Sequence, residues 1–209
     1  MAEAEGVIKF QLDHRAGESV APASVRSLTA WRALLHRLGL VGQDPARYGG
    51  YGFGNVSVRV AAGFIISGTQ TGAPEWLPIE GWAHVTVVDL SANAVRSEGP
   101  VRPSSEALTH AACYALEPTI AAVLHVHCPE LWAAAETLGL AETPADVAYG
   151  TPAMATAVRT AHVQAALGDR GLIAMGGHEH GIVSFGPSVA IAGSLLVEAL
   201  ARALEQSVD

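Results

Sequence analysis

Residues 120–127 form a short apolar run, Ile-Ala-Ala-Val-Leu-His-Val-His, that ends in two histidines one residue apart. A run of this length between turn signals reads as a strand. Side chains two apart on a strand point to the same face. His125 and His127 can therefore reach one ion, and imidazole nitrogen suits zinc and related cations. A second pair, His178-Glu-His180, follows the apolar residues 172–175 and precedes a further apolar strand at 181–185. Gly176, Gly177 and Gly181 flank it and permit an unusual backbone there. A chain with nine histidines in 209 residues would seldom hold two such pairs by chance. The competing reading is polar residues satisfied at a strand end and in a hairpin turn.

Around these pairs the pattern is mixed. Residues 24–39 read as a helix, with Val25, Leu28, Leu35 and Leu38 mostly on one face and Gly39 ending it. Further helices are predicted over 103–116, 129–138, 151–167 and 187–206, with Thr151 as an N-cap and Pro152 at the first helical position. Short strands are predicted over 56–60, 64–67, 84–90, 94–97, 120–127, 172–175 and 181–185. Strands that precede and interrupt the helices favour a mixed α/β domain over a regular βαβ array. Residues 1–22 read as an N-terminal arm and 23–209 as one domain, long enough to bury a real core.

Composition removes several function classes. Twelve Lys+Arg stand against 20 Asp+Glu, for a formal net charge of −8, and the only lysine is Lys9. An acidic chain with no basic cluster argues against nucleic acid as a partner. No stretch approaches the roughly 18–20 uncharged apolar residues of a membrane span. The acidic N-terminus lacks a secretion signal, and two cysteines make no disulfide scaffold. The expectation is a cytoplasmic protein acting on a small molecule.

Other residues can carry chemistry beside the histidines. Glu106 falls in the first turn of the helix opened by Pro103-Ser-Ser-Glu106. It could complement the helix dipole there, or serve as a carboxylate beside a cation, as ligand or base. Ser104 and Ser105 are natural capping residues and also a ready anion site. Asn55, Thr71 and Gly72 lie on glycine-rich turns that could hydrogen-bond a phosphate or carboxylate.

Taken in order, Gly54-Asn-Val-Ser57, the loop Ser67-Gly-Thr-Gln-Thr-Gly72, Pro103-Ser-Ser-Glu106, His125-x-His127 and His180-Gly181 resemble the class II aldolase/adducin family. The resemblance runs over about residues 24–205. It implies a three-layer α/β/α fold around a mainly antiparallel sheet. It also implies a homotetramer with sites at subunit interfaces and a role in carbohydrate metabolism. By the same resemblance His125, His127 and His180 hold a divalent transition metal, zinc first, with manganese, cobalt, nickel or iron as alternatives. Glu106 is implied as both ligand and catalytic base. Asn55, Thr71, Gly72, Ser104 and Ser105 are implied as phosphate-binding residues, joined by Arg102 as a candidate.

The implied activity is that of a metal-dependent lyase. It would cleave a small hydroxy-carbonyl compound, favourably a sugar phosphate, in the retro-aldol direction through a metal-stabilised enediolate. Alternatives are an epimerase, dehydratase or decarboxylase on the same site, a non-haem iron oxygenase, or a non-catalytic adducin-like module. The chain departs from the family pattern in three places. His178 competes with His180 as third ligand. Residues 138–147 lack the tyrosine that serves the aldolases as general acid, leaving water, Tyr48, Tyr51 or Trp76. Tyr149 matches a residue after that loop. The chain also ends soon after its last helix, without the tail that covers the site in some relatives.

Overall fold

The computed structural model describes residues 6–206. Its strands are β1 (Gln11–Ala16), β2 (Gly42–Gln43), β3 (Gly52–Phe53), β4 (Asn55–Arg59), β5 (Phe64–Ser67), β6 (Trp82–Asp89), β7 (Ala94–Gly99), β8 (Ala122–His127), β9 (Ala141–Thr143), β10 (Gly171–Met175) and β11 (Gly181–Gly186). The helices are α1 (Pro22–Arg37), α2 (Ala107–Tyr114), α3 (Pro129–Ala133), α4 (Ala135–Leu138), α5 (Pro152–Gln164) and α6 (Val189–Glu205). Among the described residues no helix is long and apolar enough to cross a membrane.

Nine strands form one sheet in the order β1-β7-β6-β5-β4-β8-β11-β10-β9, while β2 and β3 pair separately. Pairing is antiparallel except at the two edges, where β1 runs parallel to β7 and β9 parallel to β10. The sheet is thus mainly antiparallel, as expected. Residues 11–16 depart from the arm reading, since they form an edge strand of that sheet. Their sequence alternates weakly, and the pairing that makes them a strand is long-range.

The alternation of β8 sorts the layers. Leu124 and Val126 pack with Leu28 of α1, Leu131 of α3 and Leu196 of α6. Val123 packs on the other face with Leu108 of α2 and Met154 of α5. In β10, Leu172 and Ala174 take the first face and Ile173 and Met175 the second. Both faces are covered by helices, which gives the three layers. His125 and His127 share the parity of Val123, so both project toward α2.

Helix starts follow their capping residues. Thr151 Oγ1 accepts from the Met154 N–H at 3.2 Å, with Pro152 at the first turn of α5. Ser188 Oγ does the same for Ile191 at 3.2 Å and opens α6. Helix α2 begins later than predicted, at Ala107. Residues 104–106 instead form a turn in which Ser104 Oγ accepts from the Glu106 N–H at 3.2 Å. That turn aims the Glu106 side chain inward. The helix predicted over 129–138 is divided at Ala134, which lies between α3 and α4.

Candidate active site

His125 and His127 sit at the end of β8, buried to 1% exposure each. His178, 3% exposed, joins them from the turn between β10 and β11. Its Nε2 is 3.0 Å from His127 Nε2, which in turn is 3.2 Å from His125 Nε2. Ligand atoms of these three residues all lie within 4.8 Å of one another. Each neutral imidazole nitrogen at this centre offers either one proton or one lone pair. One proton on His127 Nε2 could serve both neighbours only as a weak bifurcated bond, whereas a cation satisfies every lone pair. Two nitrogens at zinc-bond length and tetrahedral angle would stand about 3.3 Å apart, close to the spacings observed. His125 Nδ1 lies 3.2 Å from the Ile182 carbonyl, a contact that protonates Nδ1 and turns the Nε2 lone pair inward.

His180 takes a different position from the one the family register gives it. Its φ of 62° breaks the strand alternation of the turn. Its Nδ1 is 3.0 Å from the Tyr48 hydroxyl, and its ring meets Trp132 at 5.8 Å between centroids. Tyr48, itself at φ 49°, also packs its ring on His127 at 4.5 Å and accepts from Arg47 at 3.1 Å. The pair Tyr48–His180 therefore borders the three-histidine cluster. Trp76 is 58% exposed and Tyr51 44% exposed.

Glu106 is 2% exposed. Its Oε2 accepts from Thr109 Oγ1 at 2.8 Å. Its Oε1 has no hydrogen-bond partner among the described residues and lies 3.9 Å from His178 Nε2, too far for a hydrogen bond. Burial pushes its pKa up to about 7, against the pull of Thr109 and of the Lys9 charge. Burial pushes the imidazoles the other way. His125 falls to about 4, and His127 and His178 fall well below 6.5, where repulsion from His125 adds to burial. All three rings are thus neutral ligands at neutral pH, suited to zinc, iron or nickel. The orphaned Glu106 oxygen beside them fits the same cation. Cys128 packs in the opposite hydrophobic cluster and keeps its sulfur away.

Asn55, Thr71, Gly72, Ser104 and Ser105 line one polar cavity of about 20 Å³ with Glu106 and His125. Gly6 of the arm closes one side of it, against Gln70. Asn55 Oδ1 is buried without a hydrogen-bond partner among the described residues. Gly54 holds a φ of 71°, and a Cβ there would sit 2.6 Å from Val41. Arg102 lies elsewhere. Its carbonyl accepts from the Thr69 N–H at 3.0 Å, and its side chain lines a separate cavity with Ile8, Leu12 and His14.

Arg32 carries a role its helix pattern only hinted at. It occupies the buried stripe of α1 with Val25, Leu28 and Leu35, and is 3% exposed. Its guanidinium donates to the carbonyls of Pro74, Glu75, Thr71 and Gly72 at 2.7, 3.0, 2.8 and 3.1 Å. A trans peptide sets the next N–H opposite its carbonyl, so the amides of Gly72 and Ala73 point away from Arg32. The signal was present in the sequence: one arginine on an apolar stripe. Ser57, from the motif at 54–57, is buried beneath the site, 2.6 Å from His110 Nδ1 and 2.7 Å from the Tyr114 hydroxyl.

Residues 45–208 match the family described as Class II Aldolase and Adducin N-terminal domain. No curated protein sequence matches the chain. Among solved structures, the L-fuculose-1-phosphate aldolase of Thermus thermophilus is 20% identical and superposes with a TM-score of 0.56, covering 90% of this chain and 91% of that one. A sugar-phosphate aldolase from Thermotoga maritima is 14% identical with a TM-score of 0.65, covering 88% and 94%. YgbL of Escherichia coli, a candidate aldolase/epimerase/decarboxylase, is 18% identical with a TM-score of 0.61, covering 85% of each chain. At these identities the likeness is one of fold.

Proposed function

The chain belongs to the class II aldolase and adducin family, and from that premise we propose that it is a metal-dependent lyase cleaving a small phosphorylated hydroxy-carbonyl compound in the retro-aldol direction. The observation that carries this reading is the convergence of three buried imidazoles beside a buried carboxyl that has one oxygen unpaired among the described residues. His125, His127 and His178 would hold the metal, zinc first, with Glu106 as a further donor. When bound, such a dication supplies Lewis acidity toward the oxygens of the substrate.

The chain's own residues do the rest. Glu106, with a pKa near 7, is poised to take and return a proton at neutral pH. It exchanges that proton with the carbon beside the carbonyl of the ketone fragment. Ser104, Ser105, Asn55 and the Thr71–Gly72 turn would bind the phosphate through neutral donors. Burial of Glu106 keeps water from competing for the proton. The segment 138–147 carries no tyrosine to take the proton from the hydroxyl that becomes the aldehyde oxygen; Tyr48 and Tyr149 pack their rings on the cluster, at 4.5 Å from His127 and 4.4 Å from His178. Decarboxylation or epimerisation on the same site is the second reading, favoured by that missing tyrosine. Assembly as a homotetramer, with the site at a subunit interface, belongs to the same proposal.

Deuterium exchange into dihydroxyacetone phosphate, followed by NMR, tests it. Metal-loaded protein should catalyse the exchange, and Glu106→Gln should fold and bind metal yet lose roughly 100-fold or more of the rate. Exchange at the wild-type rate in that variant removes Glu106 as base.

A further inference from the structure

The β1 edge of the sheet carries a second cavity, of about 270 Å³, lined by Ile8, Leu12, His14 and Arg102. It shares no residue with the polar cavity beside Glu106. Strand parity assembles one wall. In β1, Leu12 and His14 are half-buried on one face, while Asp13 and Arg15 are exposed on the other. Ile8 and Leu12 also pack at the margin of the core cluster under α2, so the cavity lies on that side of the sheet. Arg102 comes from the segment after β7, and its backbone is fixed. Its carbonyl takes the Thr69 N–H, and the next residue, Pro103, bridges to Gly68.

The cavity presents two nitrogen donors and no acid. The exposed Arg102 guanidinium makes no hydrogen bond or ion pair with any described residue. That is unusual in a chain with 20 Asp+Glu against 12 Lys+Arg. The acids on the neighbouring strands are engaged elsewhere: Asp13 pairs with Arg96 at 2.9 Å, and Glu98 with His84 at 3.2 Å. His14 is oriented by its Nδ1, 2.9 Å from the buried Ser97 hydroxyl, which leaves Nε2 facing away from that contact. We propose that this cavity binds a small aliphatic carboxylate, with its headgroup on Arg102 and His14 Nε2 and its tail on Ile8 and Leu12. A guanidinium fork matches a planar carboxylate, and the two apolar side chains favour an acid with a tail over a bare inorganic anion. At roughly 30 Å³ for each water-sized group, the volume takes an acid of about four to six carbons. The site is separate from the three histidines, and the proposal stands or falls without the lyase reading.

Equilibrium dialysis of the full chain against radiolabelled butyrate and acetate tests this. Burying the extra methylenes should make butyrate bind roughly tenfold more tightly than acetate. Arg102→Met should weaken butyrate by roughly tenfold or more, the scale of a hydrogen bond to a charged group. Arg102→Lys should recover part of the loss by restoring the charge without the fork. His14→Phe, which keeps a ring and removes the donor, should weaken butyrate roughly fivefold. Because the Arg102 side chain is exposed, Arg102→Met should melt with the wild type, so its loss reads binding and not folding. Butyrate held at the three histidines would survive Arg102→Met, and binding unchanged in that variant would overturn the proposal. So would equal wild-type affinities for the two acids, or a wild type that binds neither.

Discussion

Replacing Arg32 by methionine keeps the apolar stem on the buried stripe of α1 and removes the guanidinium. The four carbonyls it holds, of Thr71, Gly72, Pro74 and Glu75, belong to one loop, of which Thr71 and Gly72 line the polar cavity. A hydrogen bond to a charged group is worth about 1.5–3 kcal/mol net, so four give a gross of roughly 6–12 kcal/mol. Against this stands the cost of burying the cation. Burial draws its pKa down to about 10, equivalent to about 3 kcal/mol. Pro74 and Glu75 lie near the surface and can turn their carbonyls to water, which lowers the loss further. We expect Arg32→Met to cost about 3 kcal/mol, a fall of roughly 1–1.5 M in the urea midpoint at an m-value of about 2–3 kcal/mol/M. Arg32→Lys should fall between, since a compact ammonium with three donors cannot span the four carbonyls. Affinity for inorganic phosphate should drop in step. A stability loss under about 0.5 kcal/mol with unchanged phosphate affinity would refute the clamp.

Metal-stripped protein should lose stability as pH falls below 6.5. Burial holds His125 at about 4 and His110, His127 and His178 well below 6.5, so the unfolded chain binds protons that the folded one refuses. Each such histidine contributes up to about 1.4 kcal/mol per pH unit. Glu106, raised from 4.5 to about 7, works in the opposite sense as one group against several. Urea midpoints at pH 7.5 and 5.5 check this, and equal midpoints would contradict it. Gly72→Ala places a Cβ against the Gly42 carbonyl and should cost about 1–3 kcal/mol while weakening phosphate binding, read by thermal melting and calorimetry.

Much of the site was legible because strand parity is a local rule. His125 and His127 had to share a face, and Pro103-Ser-Ser-Glu106 had to place an acid at a helix start. The position of the third histidine was not legible, because parity holds only in extended chain. The turn between β10 and β11 is not extended, and the positive φ of His180 sends it to Tyr48 while His178 enters the cluster. Lys9 and β1 escaped for another reason. Their places depend on long-range pairing with β7 and Asn93, which leaves only a weak alternation in residues 11–16. Arg32 left a trace that helical spacing makes readable: a charge at the stripe position between Leu28 and Leu35.

The proposed chemistry stands on a metal held by His125, His127 and His178. Elemental analysis of untagged protein, loaded with zinc and dialysed, tests it most directly through His178→Ala and His180→Ala. The wild type should hold about one zinc per chain, His180→Ala should retain it, and His178→Ala should lose most of it. Retention in His178→Ala with loss in His180→Ala, or a wild type that holds no zinc, would contradict it.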